Sequence, residues 1–497
     1  MPDYMFMLES RLSAEQRAAM MRVQELAGEA GANLYLTGGA VRDLISGMMI
    51  RDLDFTVEAN PSRLAAELEK GGARIIDEDD KLRRVELIFS GDVDGSISAA
   101  REEVYARPGN KPEVRWSTIM EDLHRRDFSI NSIAISLNPA SRGLLLDPTN
   151  GLADLENREV RALSIHSFTN QPIRLMRAAR LCARMEFKLE SRTEEWFALA
   201  LERGLQENME AGEVGAELRQ LGFEQKPVAI LKAWEARGLI GAIHPQVERK
   251  HPHYDLLGRV VRAREELFAA GLRPRLFAPI AFATLAKLKP RERSAALSRL
   301  GFRSAEVDAV MGLEDEVQKM NKMLASRKTA QPAAAFAFLE KAPADWMVFA
   351  LAGAANAKVA NKIRNYLRRW RPLRMSLPAV SLELEALGMV RGPKFDKVME
   401  AVFQAQLLGK GRTPEDRIKL LRKLAGIKEP PKVKEEKKKP LEKPKKPGAT
   451  APAEKAAPAP PPAPAAGGKP PAKIGKAAPP ARKSGPSGGG AKRARGR

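Results

Sequence analysis

The 497-residue sequence predicts an α+β domain at the N-terminus, all-α domains after it and a disordered basic extension at the end. Apolar strand-like runs alternate with helical runs only before about residue 150. Helical patterns then dominate to about residue 425. From residue 428 the chain is rich in Lys, Pro and Ala with little apolar bulk, so burial cannot offset the entropy lost on ordering.

The elements can be placed in chain order from caps, turns and periodicity. Ser13, with Gln16 three residues later, starts an amphipathic helix over 13–30, and Pro61-Ser62 starts another that ends at Gly71-Gly72. Residues 91–118 are predicted to be irregular. A helix start leads into a strand within 121–137. The other predicted strands are 34–37, 53–57, 73–77 and 83–89, the last two separated by an acidic turn at 77–80.

Domain boundaries are predicted where connectors interrupt these patterns. The turn Asp147–Gly151 precedes the first boundary, and softer boundaries fall near 225 and 325. The predicted domains are 1–150, 151–225, 226–325 and 326–427, with the extension at 428–497.

The charge distribution points to a polyanionic partner. The net charge is +22, and residues 428–497 carry 19 Lys/Arg against 5 Glu. Such a tail suits RNA, whose bound counterions it would release. The alternative is a solubilising or linker segment.

Composition also bears on the cellular compartment. The single cysteine, Cys182, excludes an internal disulfide and fits a reducing cytoplasm, and its apolar-rich helical surroundings suggest packing. No secretory signal and no apolar run long enough to span a membrane are present in the sequence. We therefore expect a cytoplasmic protein without a membrane partner.

The strongest chemical signal lies in residues 34–55. Asp52 and Asp54 open a predicted strand and point to the same face, where they repel unless cations lie between them. Mg²⁺ prefers such oxygen ligands. The Gly38-Gly39 turn lets backbone N–H groups approach a phosphate, and Arg42 could pair with it. Each feature alone is common, but together they predict a two-metal phosphoryl or nucleotidyl transfer site.

Two arginine groups extend this prediction. Arg125 and Arg126 precede an apolar strand and could bind phosphate, ribose or RNA backbone; the alternative is a solvated helix end. Further on, four arginines share about a third of one helix circumference. They would repel unless they face acids or a polyanion, and only Glu186 lies nearby in sequence, so a nucleotide or RNA is favoured over a salt-bridged surface. These four are Arg174, Arg177, Arg180 and Arg184.

Four segments between about residues 33 and 190 resemble, in order, the bacterial tRNA nucleotidyltransferase and poly(A) polymerase family. This family is the class II branch of the DNA-polymerase-beta-like nucleotidyltransferases. The segments are GGAVRDLISGMMIRDLDF, REEVYARPGNKPEVRWSTIMEDLHRRDFSINSIAI, LLDPTNGLADLENREVRAL and QPIRLMRAARLCARMEF. The resemblance implies a catalytic head followed by helical neck, body and tail domains.

The resemblance also implies an activity and residue roles. The family adds nucleotides from CTP or ATP to an RNA 3′ end without a nucleic-acid template. Asp52 and Asp54 would bind Mg²⁺, and Gly39 and Arg42 would contact the triphosphate. Arg125 or Arg126 would lie near ribose and phosphate. The neck surface that handles the incoming base and triphosphate would comprise Arg174, Arg177 and Arg180.

Two positions depart from the family pattern. Gln171 stands where the family has an Asp that reads the base with the following Arg, and its amide offers both a donor and an acceptor. Ser96 aligns with the third catalytic carboxylate, although Asp92 or Asp94 could substitute if the register shifts. A serine is a weak Mg²⁺ ligand and a poor base.

The sequence leaves three functions open. The first is an active tRNA nucleotidyltransferase that adds CCA or part of it, and the second is a poly(A) polymerase acting on general RNA. The third is an RNA-binding paralogue that has lost catalysis. A small-molecule nucleotidyltransferase fits the arginine-rich helix and the helical bulk less well. No His-Asp pair is present, so no metal-dependent phosphohydrolase activity is expected.

Overall fold

The computed structural model describes residues 3–106, 112–274 and 276–427, which belong to one compact unit. Within these ranges the predicted order is confirmed: a mixed α/β region comes first and helices make up nearly all the rest. The predicted disordered extension, 428–497, lies outside the described residues. The boundaries near 150, 225 and 325 stay predictions.

Eleven strands lie in the described ranges, and seven of them form one sheet in the order β3-β4-β5-β2-β1-β8-β9. Only β2 and β5 pair in parallel within it. The others form two small sheets, β6-β7 and β10-β11. The strands are β1 Leu34–Thr37, β2 Leu53–Val57, β3 Arg74–Asp79, β4 Arg84–Phe89, β5 Val93–Ala99, β6 Arg101–Val104, β7 Glu113–Trp116, β8 Ala134–Ser136, β9 Leu145–Leu146, β10 Glu159–Val160 and β11 Lys188–Leu189.

Helices cover the sheet and continue to the end of the described chain. Those up to residue 202 are α1 Tyr4–Arg11, α2 Ala14–Glu29, α3 Gly39–Ile45, α4 Pro61–Lys70, α5 Ile119–His124, α6 Gly151–Asn157, α7 Ser167–Asn170, α8 Arg174–Met185 and α9 Ser191–Glu202. Those that follow are α10 Ala211–Gln220, α11 Pro227–Ala236, α12 Pro245–Lys250, α13 Tyr254–Ala269, α14 Phe277–Thr284, α15 Pro290–Arg299, α16 Ser304–Met311, α17 Leu313–Ala325, α18 Pro332–Leu339, α19 Ala344–Phe349, α20 Ala357–Asn365, α21 Arg371–Ala386, α22 Pro393–Leu407 and α23 Pro414–Ala425.

Local caps explain why several helices begin where the sequence predicts. Ser13 and Gln16 form the expected capping box at the start of α2. The side chain of Asn60 accepts from the backbone N–H of Ser62, and Pro61 occupies the first turn of α4. The predicted strands at 34–37 and 53–57 are confirmed as β1 and β2.

The prediction of irregular structure over 91–118 is wrong, because this stretch contains β5, β6 and β7. Glycine and aspartate weaken the strand signal there. Gly95, however, is required by the packing of β5 against β2, since a Cβ at this position would lie 2.4 Å from the carbonyl oxygen of Leu53. The acidic turn at 77–80 is also misplaced, since Asp77 and Asp79 lie within β3.

Apolar packing divides into one large core and a small one. The large core runs from α1 through the sheet and into the helices as far as α22. A separate cluster ties α21, α22 and α23 together, and it contains Val380, Leu384, Phe395, Val398, Val402 and Leu421. Among the described helices, none combines the length and apolar character that crossing a membrane would require.

Candidate active site

The two aspartates lie at the start of β2, near the middle of the large sheet. Leu53 and Phe55 are buried on one face of the strand. The alternation of the strand sends Asp52 and Asp54 to the opposite side, where both are partly exposed. Burial, and then the negative charge of Asp52, raise the pKa of the Asp54 carboxyl above its ordinary value.

Ser96 lies directly beside this pair. In the parallel pairing of β2 with β5, Asp54 is opposite Ser96, and the Ser96 hydroxyl donates a hydrogen bond of 2.6 Å to Asp54 Oδ1. Asp92 precedes β5 with a positive φ, and Asp94 lies two residues before Ser96 on the strand. The register therefore places a serine, and neither neighbouring acid, next to Asp54.

The donor set fits a hard divalent cation, although it is smaller than expected. Across residues 3–106, 112–274 and 276–427, no three His, Cys, Asp or Glu side chains are grouped as a metal site. Burial and the charge of Asp52 raise the pKa of Asp54 more than Arg84, Ser96 and Arg126 lower it. A cation between Asp52 and Asp54 would remove this repulsion, and carboxylate oxygens are the ligands that Mg²⁺ prefers.

The Gly38-Gly39 turn brings the backbone against the same carboxylates. Gly38 has a φ of 67°, and a Cβ there would lie 3.2 Å from Arg126 Nη1. A Cβ at Gly39 would lie 3.5 Å from Arg42 Nη2 and 4.0 Å from Asp54 Oδ2. The turn thus packs between two guanidinium groups and Asp54, and its role in phosphate binding stays a prediction.

Asn131 connects the charged groups around this turn. Its Oδ1 accepts a 2.6 Å hydrogen bond from Arg42, and its backbone carbonyl accepts one of 3.1 Å from Arg126. Its Nδ2 donates to Asp127 at 3.0 Å. Arg42 is also held by Asp43 at 2.8 Å. Asn131 therefore fixes both arginines relative to the glycine turn.

Arg125 and Arg126 share one buried carboxylate, that of Asp122. Arg125 also pairs with Glu103 at 2.8 Å, and Arg126 donates to Thr56 on β2 at 3.1 Å. Burial would raise the pKa of Asp122, but the two guanidinium charges outweigh it and lower that pKa. The alternative of a solvated helix end is therefore wrong, because both arginines are largely buried and paired.

The arginines of α8 are paired with carboxylates as well. Arg177 contacts Asp127 at 2.9 Å and Glu217 at 3.2 Å. Arg180 contacts Glu217 at 2.6 Å and Glu224 at 3.1 Å. Burial alone would lower the pKa values of both arginines, but these carboxylates outweigh it and raise them.

Arg184 extends the network back to the glycine turn, since it contacts Asp43 at 2.6 Å and Glu224 at 3.5 Å. The inference that these arginines lack acidic partners is therefore wrong for Arg177, Arg180 and Arg184. It failed because the acids lie in α3, after α5, in α10 and after α10, far from α8 in sequence.

Arg174 differs from the other three. It donates to the Gln171 amide oxygen at 2.8 Å and to the Ser167 hydroxyl at 2.8 Å, but within the described part of the chain it forms no ion pair with a carboxylate. Burial lowers its pKa. Gln171 in turn donates to the Tyr105 hydroxyl, so both ends of its amide are oriented. Arg174 is the guanidinium of this helix that forms no ion pair among the described residues, although the nearby charges of Asp127 and Glu103 favour its charged form.

The structure thus brings the predicted residues into two neighbouring groups joined by Asp122. One surrounds the glycine turn and the aspartate pair, and the other contains Arg125, Gln171 and Arg174. Sequence reasoning missed the residues that connect them, which are Asn131, Asp122, Asp127, Tyr105, Glu103, Glu217 and Glu224. No spacing in the sequence links Glu217 and Glu224 to α8, because Glu217 lies in α10 and Glu224 in the segment after it.

A family comparison bears on this region. Residues 34–161 match the model of the poly(A) polymerase head domain. This range is therefore similar to that domain. The matched range contains the aspartate pair, the glycine turn and the Arg125-Arg126 pair, so the resemblance stated from the sequence is confirmed for the head domain. Gln171 and α8 follow directly after it.

Individual proteins that align with this chain carry related names. The chain is 32% identical over 239 residues to the A-adding tRNA nucleotidyltransferase of Halalkalibacterium halodurans, covering 46% of this chain and 56% of that protein. It is 24% identical over 414 residues to the enzyme of that name from Geobacter sulfurreducens, covering 82% and 47%. A CC-adding tRNA nucleotidyltransferase of Deinococcus radiodurans is 32% identical over 238 residues, covering 46% and 61%.

The chain therefore spans about half the length of the first two relatives. The head domain is the part that the family model describes.

Proposed function

We propose that this protein is a template-independent RNA nucleotidyltransferase that adds nucleotides from ATP or CTP to the 3′ end of tRNA. The observation that carries the proposal is the aspartate pair of β2, in which burial and the charge of Asp52 raise the pKa of Asp54 beside the Gly38-Gly39 turn. Similarity to the head domain family and the names of the relatives support the same activity.

The reaction is attack of the RNA 3′-hydroxyl oxygen on the α-phosphorus of the nucleotide. A new phosphodiester bond forms, the bond between the α-phosphorus and its bridging oxygen breaks, and pyrophosphate leaves. Two Mg²⁺ ions held by Asp52 and Asp54 would activate the attacking hydroxyl and neutralise the leaving pyrophosphate. Ser96 holds Asp54 in place through its 2.6 Å hydrogen bond but adds no charge.

The remaining residues position the nucleotide. The backbone of Gly38 and Gly39, with Arg42 and Arg126 beside it, would receive the triphosphate. Arg125 lies in the neighbouring group, where it would stand near the ribose. Triphosphate oxygens can exchange with the carboxylates that now hold these guanidinium groups.

Gln171 and Arg174 would face the base. Their mutual hydrogen bond orients the guanidinium, and Tyr105 orients the amide. Arg177 and Arg180 form ion pairs with Asp127, Glu217 and Glu224. We therefore assign these two arginines to supporting the surface rather than to contacting the nucleotide directly.

We further propose that AMP is the nucleotide added, because two of the relatives described above are named A-adding enzymes. CC addition is the alternative that the third relative favours. Poly(A) addition to general RNA is favoured by the head domain family. The substrates are cytoplasmic molecules, so the proposal includes a cytoplasmic location.

Nucleotide incorporation by the purified protein with Mg²⁺ tests this. The RNAs are tRNAs that end before CCA, after C and after CC, together with an unstructured RNA, each given ATP or CTP alone. The proposal expects one AMP on the tRNA ending in CC. Long products on unstructured RNA would favour poly(A) synthesis. No incorporation on any RNA, with tRNA binding retained, would favour a binding paralogue.

A further inference from the structure

A cavity of about 460 Å³ lies near the end of the described chain, far in sequence from the head domain. One wall is formed by the end of the π-helical segment Tyr366–Trp370 and by the start of α21, which follows it directly. The other is formed by the end of α22 and the segment that leads to α23. Its volume falls within the range of about 300–1,000 Å³ that is usual for small-molecule sites.

The mouth of this cavity is positively charged. Arg369, Lys410 and Arg412 line it and are exposed. Within the described ranges none of the three forms an ion pair with a carboxylate, whereas Arg417 in the same wall is held by Glu383. Three uncompensated cations at one opening favour an anionic ligand. The basic extension 428–497 has the wrong charge to fill it.

The interior of the cavity combines an unpaired hydrogen-bond acceptor with an apolar wall. Gln406 lines the cavity with 7% of its surface exposed, and its Oε1 has no hydrogen-bond partner among the described residues. A buried acceptor of this kind needs a hydrogen-bond donor, which an N–H group, an O–H group or a water molecule can supply. Trp370, Leu373 and Leu407 provide apolar wall beside it. Phosphate carries no N–H group, whereas a nucleobase carries one together with a flat apolar face.

We propose that this cavity binds a single nucleotide. The phosphate lies among Arg369, Lys410 and Arg412, and the base enters against Trp370 with an N–H group donating to Gln406. The ligand is either a free nucleotide or one nucleotide of an RNA strand, since both present the same chemistry. The site shares no residue with the head domain and does not depend on the catalytic proposal.

Photolabelling of the full-length protein with 8-azido-AMP, followed by mapping of labelled peptides, tests this directly. We expect label in peptides covering 366–376 or 404–417. Lys410→Gln with Arg412→Gln should reduce that label roughly tenfold, and Gln406→Met, which keeps the length but removes the acceptor, should reduce it several-fold. Lys394→Gln with Lys397→Gln is the matched control, because these exposed lysines of α22 lie outside the cavity.

Two competitors and a second probe complete the test. Excess AMP should remove the label and equal inorganic phosphate should not. An unstructured RNA containing 4-thiouridine replaces the free probe in a parallel experiment. Labelling only by the RNA assigns the site to an RNA nucleotide, and labelling by 8-azido-AMP assigns it to a free one.

The proposal is overturned if neither probe labels these peptides, if the charge variants label as strongly as the control, or if phosphate competes as well as AMP. Label in head domain peptides serves as an internal reference. Loss of the head domain label would count against the proposed nucleotidyltransferase activity but not against the proposed nucleotide site in this cavity.

Discussion

Ser96 stands where the resemblance to the nucleotidyltransferase family implies a third catalytic carboxylate. A serine hydroxyl supports Asp54 with a hydrogen bond but brings no negative charge to the pair. We therefore expect the site to hold cations with two carboxylates, where the resemblance implies three. Metal affinity, rather than the fold of β5, is the property that this difference should change.

Ser96→Asp should restore a third carboxylate. We expect a lower Tm than wild type without divalent cations, because three like charges then lie together, and a larger rise in Tm on adding Mg²⁺. Thermal unfolding across a Mg²⁺ titration measures both. Ser98→Asp, on the same strand opposite Arg84, is the control. Identical Mg²⁺ responses in Ser96→Asp and wild type would contradict the role given to Ser96.

In the absence of metal, the ionised Asp54 carboxylate should lower the free energy of unfolding. Its folded pKa is raised by burial and by Asp52, so its ionised form is penalised at any pH above that raised pKa. Asp54→Asn should therefore raise Tm at pH 8 in chelator, and the gain should shrink as the pH falls through the raised pKa. Asp92→Asn, an exposed site, should change little. A fall in Tm for Asp54→Asn at pH 8 would refute this.

At the level of secondary structure, α8 combines two different uses of arginine. Arg177, Arg180 and Arg184 join the helix to α3, α10 and the segment after α5 through buried carboxylates. Arg174, at the first turn, hydrogen-bonds only to neutral groups among the described residues, and Asp127 acts on it only through its charge. The ion-pairing arginines and the arginine proposed to bind nucleotide are thus separated along one helix.

This separation predicts opposite phenotypes for the same substitution. Arg180→Gln leaves Glu217 and Glu224 buried with fewer partners and should lower the free energy of unfolding by about 3 kcal/mol. Arg174→Gln should cost only about 1–2 kcal/mol but weaken nucleotide binding roughly 10–100-fold. Urea unfolding and ATP titration compare the two. Equal losses of stability would show that Arg174 is a structural residue.

The strands show why sequence reasoning succeeded in one part of the sheet and failed in another. β1 and β2 carry continuous or alternating apolar residues, and both were predicted at their observed positions. β5 contains Asp94, Gly95 and Ser96, which suppress the strand signal. These residues are there because β2 approaches closely and because the strand carries polar groups to the candidate site.

Across the whole molecule, the site was predictable where its residues are close in sequence. The glycine turn, Arg42 and the aspartate pair fall within seventeen residues, and they were found together. The buried ion network was not predictable, because Asp43, Asp127, Glu217 and Glu224 reach α8 only after folding. Spacing along one helix reveals which arginines share a face, but it cannot reveal what faces them.

The basic extension at residues 428–497 is predicted to contribute to RNA binding through its positive charge. Deleting residues 428–497 removes a net charge of +14 and should weaken RNA binding mainly at low salt, with a smaller slope of log affinity against log salt. Filter binding to tRNA across a salt series measures this. An unchanged slope would remove the extension from RNA binding.

The most direct test of the central claim is single-turnover AMP incorporation into a tRNA that ends in CC, comparing wild type with the Asp52→Asn, Asp54→Asn double variant. We expect incorporation by wild type and a loss of at least about 10³-fold in the variant, with tRNA binding and Tm preserved or raised. Undiminished incorporation by the folded variant would contradict it, because the chemistry would then lie outside the aspartate pair of β2.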